Sequence, residues 1–394
     1  MTVLVLDKRH SVEEMRSWLR DVPGEIVVAC GPRVHVDEHA TTGHPLRFEP
    51  RPDYADSNWL TERCRELNIT RIVALAESDI IRAACVRELL GLPGQPLASA
   101  IAYRDKYVMK SIASAAGVSV APMTLVQNAD DIHEFGRQHG YPLVVKPRDS
   151  GGSVGVFTVH NPHDDIPLDN QYTYLAETWI PHPHYHVDGL MQAGNVVHGG
   201  VFRNVRPRLE SRQRALPCAS VLLDQRKHAV AARLYDCAAA TIRALPHTPD
   251  VTAFHAEFFC PPDGAPLLCE IACRPSSLLT TDVFRRAFGY DIFAKTLHGL
   301  ATGDDTKPLP DTPAGIYAYA YFPTRDGVLV SYPSWDELPN VLRYDTPGKI
   351  GTRYVNPRSV IEHVASAVFT ADPDHPEQTL HEIEQWWQNG VTWA

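Results

Sequence analysis

Short apolar segments alternate with amphipathic segments along the first part of the chain. Short apolar runs are typical of buried strands, whereas apolar residues at helical spacing predict helices. Strands are predicted at 3–6, 26–30 and 71–76, and helices at 11–19, 58–67 and 79–90. Ser11 and Asp79 are the expected N-caps of two helices, and Gly91 is expected to end the last. This alternation indicates an open parallel α/β domain.

The middle of the chain is richer in strands. After a helix at 100–116, strands are predicted at 121–126, 143–147, 156–160, 174–180, 185–193, 196–205, 252–260 and 267–272, with helices at 129–139 and 228–244. Prolines at 308, 310 and 313 mark a linker. We predict an N-terminal α/β domain (1–97), a central domain (98–305) with a lid subdomain near 119–178, and a small C-terminal α/β unit (306–394).

Composition and absent motifs narrow the class of protein. The 394 residues carry 37 basic and 47 acidic side chains, a net charge of −10, which disfavours a nucleic-acid partner. The turn after the first strand, Leu6-Asp7-Lys8-Arg9-His10, lacks the glycines of an NAD or FAD site, and Walker and protein-kinase motifs are also missing. With no signal peptide, no apolar run of about 20 residues and scattered cysteines, we expect a cytoplasmic protein without a membrane partner.

Five arginines form a basic island in this acidic chain. They are Arg203, Arg206, Arg208, Arg212 and Arg214. Such an island could bind a small anion, and a solvated loop is the alternative; the sequence does not decide between them.

A lysine and a glycine-rich loop follow one another in the central domain. Residues 146–155 read Lys-Pro-Arg-Asp-Ser-Gly-Gly-Ser-Val-Gly. Glycines let the backbone approach a ligand closely, and successive N–H groups can surround an anion. Lys146 would add a point charge for phosphate. The alternative is a glycine-rich hairpin turn beside a surface lysine.

Two glutamates are predicted to face each other on a hairpin. If the Asp-Gly turn at 263–264 closes the hairpin and pairing continues one for one, Glu257 lies opposite Glu270. A wider loop at the flanking prolines would instead shift the register by two residues. Opposed carboxylates, with Cβ atoms about 4.5–5.5 Å apart, need a proton or a cation between them, and their oxygens suit Mg²⁺. Two solvent-facing glutamates are the alternative.

Other side chains near these strands could take part in a site. In an extended continuation, Arg274 would share the face of Glu270 and could meet a phosphate or carboxylate. His182, His184 and His186 alternate, so they could share one strand face as a transition-metal site or lie on a polar strand beside a nucleotide.

Together, these motifs resemble the ATP-grasp superfamily, especially carboxylate–amine ligases of the amino-acid ligase and natural-product type. The similarity runs from about Glu77 to Gly303 and includes 83–94, Tyr103-Arg104-Asp105-Lys106 and Ala116-Gly117-Val118. The fold class it implies is α/β and α+β: an ATP-grasp fold with an N-terminal open parallel α/β domain, a lid subdomain and a mixed sheet that carries the metal site.

The resemblance also implies roles for individual residues. Lys106 and Lys146 would bind ATP; Ser150, Gly151, Gly152 and Ser153 would cover its phosphates; Glu177, Thr178, Trp179 and Ile180 would form the adenine hinge; Glu257 and Glu270 would bind Mg²⁺; and Arg274 would face the acyl phosphate or substrate. The chain departs from the family pattern at His184, where a ribose-binding glutamate is often found, and at Ala272, where an asparagine is usual.

The implied activity is an ATP-dependent ligation that forms an amide or peptide bond through an acyl phosphate and releases ADP and phosphate. ATP with one or two Mg²⁺ ions, or Mn²⁺, is the expected cofactor set, and Arg203 and Arg206 are candidates for contact with the γ-phosphate or acyl phosphate. Small carboxylates and amines, amino-acid-like or carrier-bound, are the expected partners, and a homodimer is the default assembly. The alternatives are a carboxylase, an acyl-carrier-protein aminoacyl ligase and a non-catalytic ATP-binding regulatory module.

Overall fold

The computed structural model describes residues 1–8, 10–31, 46–52, 56–262, 264–303, 308–338, 340–359 and 362–394. Its N-terminal part is a parallel sheet in the order β3-β2-β1-β4 with three helices, which confirms the predicted open α/β arrangement. The elements are β1 (Thr2–Asp7), α1 (Val12–Leu19), β2 (Glu25–Cys30), β3 (Leu46–Pro50), α2 (Ser57–Glu66), β4 (Arg71–Ala74) and α3 (Glu77–Leu90).

The ends of these helices follow the predicted caps with one exception. Ser11 caps α1 in a reciprocal arrangement with Glu14, and Gly91 ends α3 in the left-handed conformation. The prediction that Asp79 caps α3 is wrong, because the helix begins two residues earlier. Asp79 is instead fully buried, and both of its carboxylate oxygens accept hydrogen bonds from Arg51 at 2.6 and 2.7 Å.

The single helix predicted at 100–116 is in fact two helices. Helix α4 (Leu97–Ala102) and helix α5 (Lys106–Ala115) are separated by a short turn. Asp105 caps α5 by accepting hydrogen bonds from the N–H groups of Tyr107 and Val108. The break therefore makes Lys106 the first residue of a new helix, where its own N–H donates to the carbonyl of Arg148.

The lid is a small antiparallel sheet in the order β5-β8-β6-β7 with one helix. Its elements are β5 (Met123–Val126), α6 (Ala129–His139), β6 (Leu143–Pro147), β7 (Phe157–Val159) and β8 (Tyr174–Thr178). Ile132, Phe135 and Leu143 lie in a core that belongs to the lid. Residues 148–156, between β6 and β7, form the glycine loop, which we call the flap.

An eight-stranded sheet forms the largest part of the molecule. Its order is β13-β12-β9-β10-β11-β14-β18-β16. The elements of this part are β9 (His184–Gln192), β10 (Asn195–Asn204), α7 (Arg208–Gln213), β11 (Cys218–Leu223), α8 (Ala229–Ala244), β12 (Thr252–Phe259), β13 (Leu267–Ala272), α9 (Leu278–Phe288) and α10 (Ile292–Thr302). Helix α7 and strand β11 were not predicted, and the basic island spans the end of β10, α7 and the residues just beyond them.

The C-terminal segment completes this sheet. Its elements are β14 (Tyr317–Pro323), β15 (Gly327–Ser331), β16 (Val341–Asp345), β17 (Arg353–Tyr354), β18 (His363–Thr370), α11 (Pro376–Gly390) and β19 (Thr392–Trp393). Because β11 pairs with β14, the boundary predicted at 305/306 falls inside one continuous sheet, and the division into three units stays a prediction. None of the described helices is both long and apolar enough to cross a membrane.

Replacement of Phe322 by alanine should destabilise the central core even though the residue lies in the C-terminal segment. Phe322 is fully buried in the largest apolar cluster, and its ring stacks on Trp387 with centroids 4.2 Å apart. A cavity of this kind costs about 3–5 kcal/mol of unfolding free energy, which urea denaturation can measure. Leu342→Ala, at a side chain that is 39% exposed, is the control and should change stability by less than about 0.5 kcal/mol. Equal effects of the two variants would contradict this packing.

Candidate functional site

A cavity lies between the lid and the main sheet, where the predicted site residues meet. Its lining comes from α5, the lid strands, the flap, α7 and the β12–β13 hairpin. The predicted residues in the lining are Lys106, Lys146, Ser150, Gly151, Gly152, Ser153, Glu177, Thr178, Trp179, Ile180, His184, Glu257 and Glu270. The structure therefore brings together the predicted nucleotide-binding and metal-binding residues, and leaves Arg203, Arg206 and Arg274 outside this lining.

A buried carboxylate between two lysines forms one wall of the cavity. Lys146 at the end of β6 lies 2.7 Å from one oxygen of Glu177 on β8, and Lys110 on α5 pairs with the other oxygen. Burial raises the pKa of Glu177, but the two lysines outweigh it and hold that pKa below its usual value. Burial likewise opposes the charge of Lys146, yet the neighbouring carboxylates raise its pKa. Glu177, the first residue of the predicted adenine hinge, is thus held by the lysines, and the other hinge residues, Thr178, Trp179 and Ile180, follow it in the cavity lining.

Lys110 was missed by the sequence analysis, although a signal for it exists. It follows Lys106 by four residues, so both side chains leave the same face of α5. Lys106 reaches the far side of the cavity, where its ammonium group lies 3.3 Å from Glu270 and donates to the carbonyl of Ser150 at 2.5 Å. One short helix therefore supplies cations to both the lid wall and the β12–β13 hairpin.

The flap packs closely on two neighbouring segments. A Cβ atom on Gly151 would lie 2.7 Å from the carboxylate of Glu77, and one on Gly152 would lie 2.7 Å from the hydroxyl of Ser359. Gly152 also has a positive φ of 63°, which side chains disfavour. On the outer side, Arg212 of α7 donates to the carbonyl of Val156 at 2.7 Å. The flap is thus held between α3, the C-terminal segment and α7.

The two glutamates face each other, as predicted, but the hairpin reaches this pairing by a different path. Glu257 pairs with Glu270, whereas Phe258 pairs with Leu268. Pairing is therefore not one for one from the turn; a β-bulge at Cys269 restores the predicted register at the glutamates. Cys269, the unpaired residue of the bulge, lines the cavity. Asp263, on which the predicted turn depends, lies outside the described residues.

Three cationic or hydrogen-bonding side chains surround Glu257. His255 contacts one carboxylate oxygen at 3.0 Å, His184 lies 3.3 Å from the other, and the Nε atom of Arg208 lies 3.1 Å from the first. Burial raises the pKa of Glu257, but its histidine and arginine neighbours hold that pKa well below its ordinary value. The carboxylate is therefore ionised and directed, which suits a ligand of a divalent cation.

The donor set of the hairpin fits Mg²⁺. Glu257 and Glu270 offer paired carboxylate oxygens at the cavity surface, and their side chains are 12% and 28% exposed. Hard divalent ions are bound by one or two carboxylates together with nucleotide phosphates, and the lysines and flap leave space for those phosphates on the opposite wall. Apart from histidines, the cavity lining contains four cationic side chains and three carboxylates, so one positive charge is in excess. A polyanion is the ligand that this balance favours.

The three alternating histidines do not form one metal site among the described residues. His184 is close enough to Glu257 and Cys269 for a shared ion, whereas His186 belongs to a separate buried group with Asp188 and His255. His182 belongs to neither group. His184 contacts Glu257 at 3.3 Å, whereas His186 contacts Asp188 at 2.5 Å.

The three arginines that were predicted to contact phosphate or substrate lie outside the cavity lining. Each of them is paired with an acidic residue of α11 or α3. Arg203 pairs with Glu377 at 3.0 Å, and Arg206 pairs with Glu384. Arg274 pairs with Glu77 at 3.2 Å, next to the flap. None of these three arginines lines the cavity, and their contacts with phosphate or substrate stay predictions.

Four of the five arginines in the basic island lie outside the cavity lining and have protein partners there: Arg203, Arg206, Arg212 and Arg214. Arg214 pairs with Glu210 at 2.7 Å, so this arginine too is committed to a local ion pair. Arg208 alone among the five lines the cavity, where it lies against Glu257. The Nε atom of Arg208 is buried and lacks a well-oriented hydrogen-bond acceptor. Arg208 is therefore the arginine that the geometry offers to a phosphate.

Substitution of Glu177 by glutamine should destabilise the protein strongly. The change leaves two buried ammonium groups without their shared anion, and loss of one partner of a buried pair typically costs about 3–5 kcal/mol. Glu134→Gln is the matched control, since Glu134 pairs with Arg137 on the exposed face of α6, and its loss should leave the unfolding midpoint nearly unchanged. Urea denaturation at neutral pH tests both variants, and similar midpoints would show that the lysines do not depend on this carboxylate.

Comparison with known sequences gives distant relatives that share one reaction class. No family model matches the chain. The chain is 22% identical to the L-arginine-specific L-amino acid ligase of Bacillus subtilis over 288 residues, which cover 70% of this chain and 68% of that enzyme. Over 80 residues it is 39% identical to the D-alanine–D-alanine ligase of Geobacter sulfurreducens, which covers 20% of this chain but only 25% of that enzyme.

Solved structures share the fold over the whole chain. An L-amino acid ligase from Bacillus licheniformis superposes with a TM-score of 0.75 at 15% identity and covers 100% of this chain and 98% of that one. An N5-carboxyaminoimidazole ribonucleotide synthetase bound to ADP superposes with a TM-score of 0.68 at 14% identity and covers 98% and 96%. These likenesses confirm the predicted ATP-grasp fold.

Proposed function

We propose that this chain is an ATP-dependent ligase of the ATP-grasp superfamily, which activates a carboxylate as an acyl phosphate and joins it to an amine. The observation that carries the proposal is the juxtaposition, in one cavity, of Lys106 and Lys146, the glycine flap and the opposed pair of Glu257 and Glu270. A triphosphate between the flap and the hairpin would meet cations on one side and a metal-binding pair on the other.

The nucleotide is proposed to lie along the lid wall. Its phosphates would approach Lys146, Lys106 and the backbone N–H groups of the flap, which can cradle an anion. Its adenine would lie beside the stretch Thr178–Ile180, whose three residues line the same cavity at the end of β8 and just after it. His184 lies where the sugar would pass, but its ring already contacts Glu257 and Asn204.

Glu257 and Glu270 are the residues that would hold Mg²⁺, as one or two ions, and Mn²⁺ suits the same oxygens. When bound, the ion neutralises charge on the phosphates and so lowers the repulsion that a carboxylate nucleophile meets. The third position offered by the hairpin, Ala272, has no side-chain donor. The ion would therefore depend on the two glutamates and the nucleotide.

The proposed chemistry has two balanced steps. An oxygen of the substrate carboxylate attacks the γ-phosphorus of ATP, the bond to the bridging oxygen breaks, and ADP leaves. The amine then attacks the carbonyl carbon of the acyl phosphate; phosphate leaves, and the nitrogen loses a proton. Arg208 is proposed to face the transferred phosphoryl group, where it would offset developing negative charge. The flap and α7 cover the site, and exclusion of water protects the acyl phosphate from hydrolysis.

Amino acids are the proposed substrate class. Support comes from the relative named as an L-arginine-specific L-amino acid ligase, which aligns with most of both chains. Turnover would separate a ligase from a carboxylase and from a regulatory module. A protein-bound carrier substrate and a homodimer remain proposals that need their own tests.

Purified protein should release phosphate from ATP only when both an amino-acid carboxylate and an amine are supplied with Mg²⁺. A screen over pairs of amino acids, read by phosphate release and by mass spectrometry of the product, measures this directly. Glu270→Gln should lower turnover by roughly 100-fold or more, because the ion loses one of its carboxylates. Hydroxylamine should trap the acyl phosphate as a hydroxamate. Turnover that requires bicarbonate would instead indicate a carboxylase, and ATP binding without turnover a regulatory module.

Arg208→Ala should lower kcat by roughly 10²–10³-fold while the KM for ATP changes little, because the proposed contact forms with charge that develops in the transition state. Arg203→Ala is the matched control from the same basic island, since its guanidinium faces Glu377 outside the cavity. Steady-state kinetics on the best substrate pair compare the two variants. A larger loss in the Arg203 variant would restore the original prediction for that residue.

A further inference from the structure

A continuous row of buried polar side chains lies behind Glu257, on the side away from the cavity. We propose that Asp188, acting through His255, is a positioning residue that fixes the Glu257 carboxylate for the divalent ion. This inference rests on the proposed function, in which Glu257 is a metal ligand. It assigns a role to the alternating pattern of β9, which the nucleotide site does not otherwise use.

The row is built by the pairing of β9 with β12. Asp188 lies opposite His255, and His186 lies opposite Glu257. Asp188 is completely buried, and its two oxygens contact the Nδ1 atoms of His255 at 2.8 Å and of His186 at 2.5 Å. The Nε2 atom of His255 then contacts Glu257 at 3.0 Å. The imidazole of His255 is thus held at both nitrogens, one by each carboxylate.

A second arm fixes the other oxygen of Glu257. The Nε2 atom of His184 lies 3.3 Å from it. The amide of Asn204 contacts Nδ1 of the same ring at 2.7 Å, and the hydroxyl of Ser220 donates to that amide's oxygen at 2.5 Å. Because Nδ1 accepts from the amide, Nε2 is left to donate to Glu257. Both oxygens of the carboxylate therefore have an imidazole behind them.

The amount of buried polarity indicates a function rather than a contribution to stability. Buried charged groups are costly to desolvate, and apolar residues of similar volume often stabilise a core as well or better. Glu270 has no comparable support: its side chain is 28% exposed and its ion-pair partner is Lys106. Of the two proposed ligands, Glu257 is therefore the one whose position is fixed before any ion binds. Partners of this kind orient metal ligands, and their loss typically lowers metal affinity about 10–100-fold.

Asp188, His186 and His255 have the composition of a two-histidine, one-carboxylate metal site, but their geometry favours hydrogen bonding. Ligands on a tetrahedral zinc ion with bonds of about 2.0–2.2 Å stand roughly 3.3 Å apart. The separations of 2.5 and 2.8 Å between Asp188 and the two imidazoles are those of direct hydrogen bonds. We therefore assign the row to support of Glu257 and not to a second ion.

Asp188→Asn tests this role, because asparagine keeps the shape but removes the charge that holds His255. Binding of Mn²⁺ to the full-length protein is measured by electron paramagnetic resonance in the presence of a non-hydrolysable ATP analogue. The dissociation constant for Mn²⁺ should rise about 10–100-fold. Binding of the analogue in EDTA should be unchanged, since the lysines and the flap are untouched. Asp250→Asn is the matched control: Asp250 is also buried, but it pairs with Arg71 at 3.2 Å, outside the cavity lining and the Asp188 row.

Glu257→Gln distinguishes failure of this inference from failure of the proposed function. Loss of Mn²⁺ binding in Glu257→Gln together with wild-type binding in Asp188→Asn would overturn the positioning role alone. Wild-type Mn²⁺ binding in Glu257→Gln would remove the metal assignment and the positioning role with it. If Asp188→Asn does not fold, His255→Gln takes its place, with the same expected loss and with wild-type Mn²⁺ affinity as the contrary result.

Discussion

The site is governed by the cost of a buried charge without a partner. Each cation of the cavity is paired with a carboxylate from another element: Lys110 and Lys146 share Glu177, Lys106 pairs with Glu270, and Arg208 pairs with Glu257. These pairs join the lid, α5, α7 and the β12–β13 hairpin. In the proposed function, ATP and its metal ion would enter by an exchange of partners, in which phosphate would take the cations and the ion would take the carboxylates of Glu257 and Glu270. The elements proposed to close over ATP are thus already connected through the groups proposed to bind it.

Much of this arrangement could be predicted, because its signals are local. The lysine and glycines of the flap are contiguous, and the glutamates are connected by a short hairpin, so sequence spacing constrained their positions in space. The register at Glu257 and Glu270 was correct, yet the bulge at Cys269 was not foreseen. A bulge depends on how the strand packs against its neighbours, which one strand's pattern does not contain. Lys110 was readable from helical spacing, but its partner, Glu177, lies 67 residues away.

The arginines show where local signals stop being sufficient. Five arginines in twelve positions predict an anion site only if they remain free, and that depends on distant acidic residues. Glu377 and Glu384 of α11 bind two of them and so connect the C-terminal segment to β10. Strand β11, absent from the prediction, extends the sheet from β10 into that segment. The C-terminal segment packs back on the central domain. This packing explains both why arginines of the basic island are paired and why the continuous sheet was not predicted.

The alternating polar residues of β9 also depend on partners from other elements, but these partners lie on neighbouring strands. A strand that presents His184, His186 and Asp188 inward would normally weaken a core, because each polar group must find a partner there. The partners are supplied by β10, β11 and β12, and the row they form ends at a carboxylate that faces the cavity. Interior polarity that converges on a single surface group restricts that group's orientation. In the proposed function, the main sheet would act as a rigid support for Glu257, whereas the lid and flap would pack over the nucleotide.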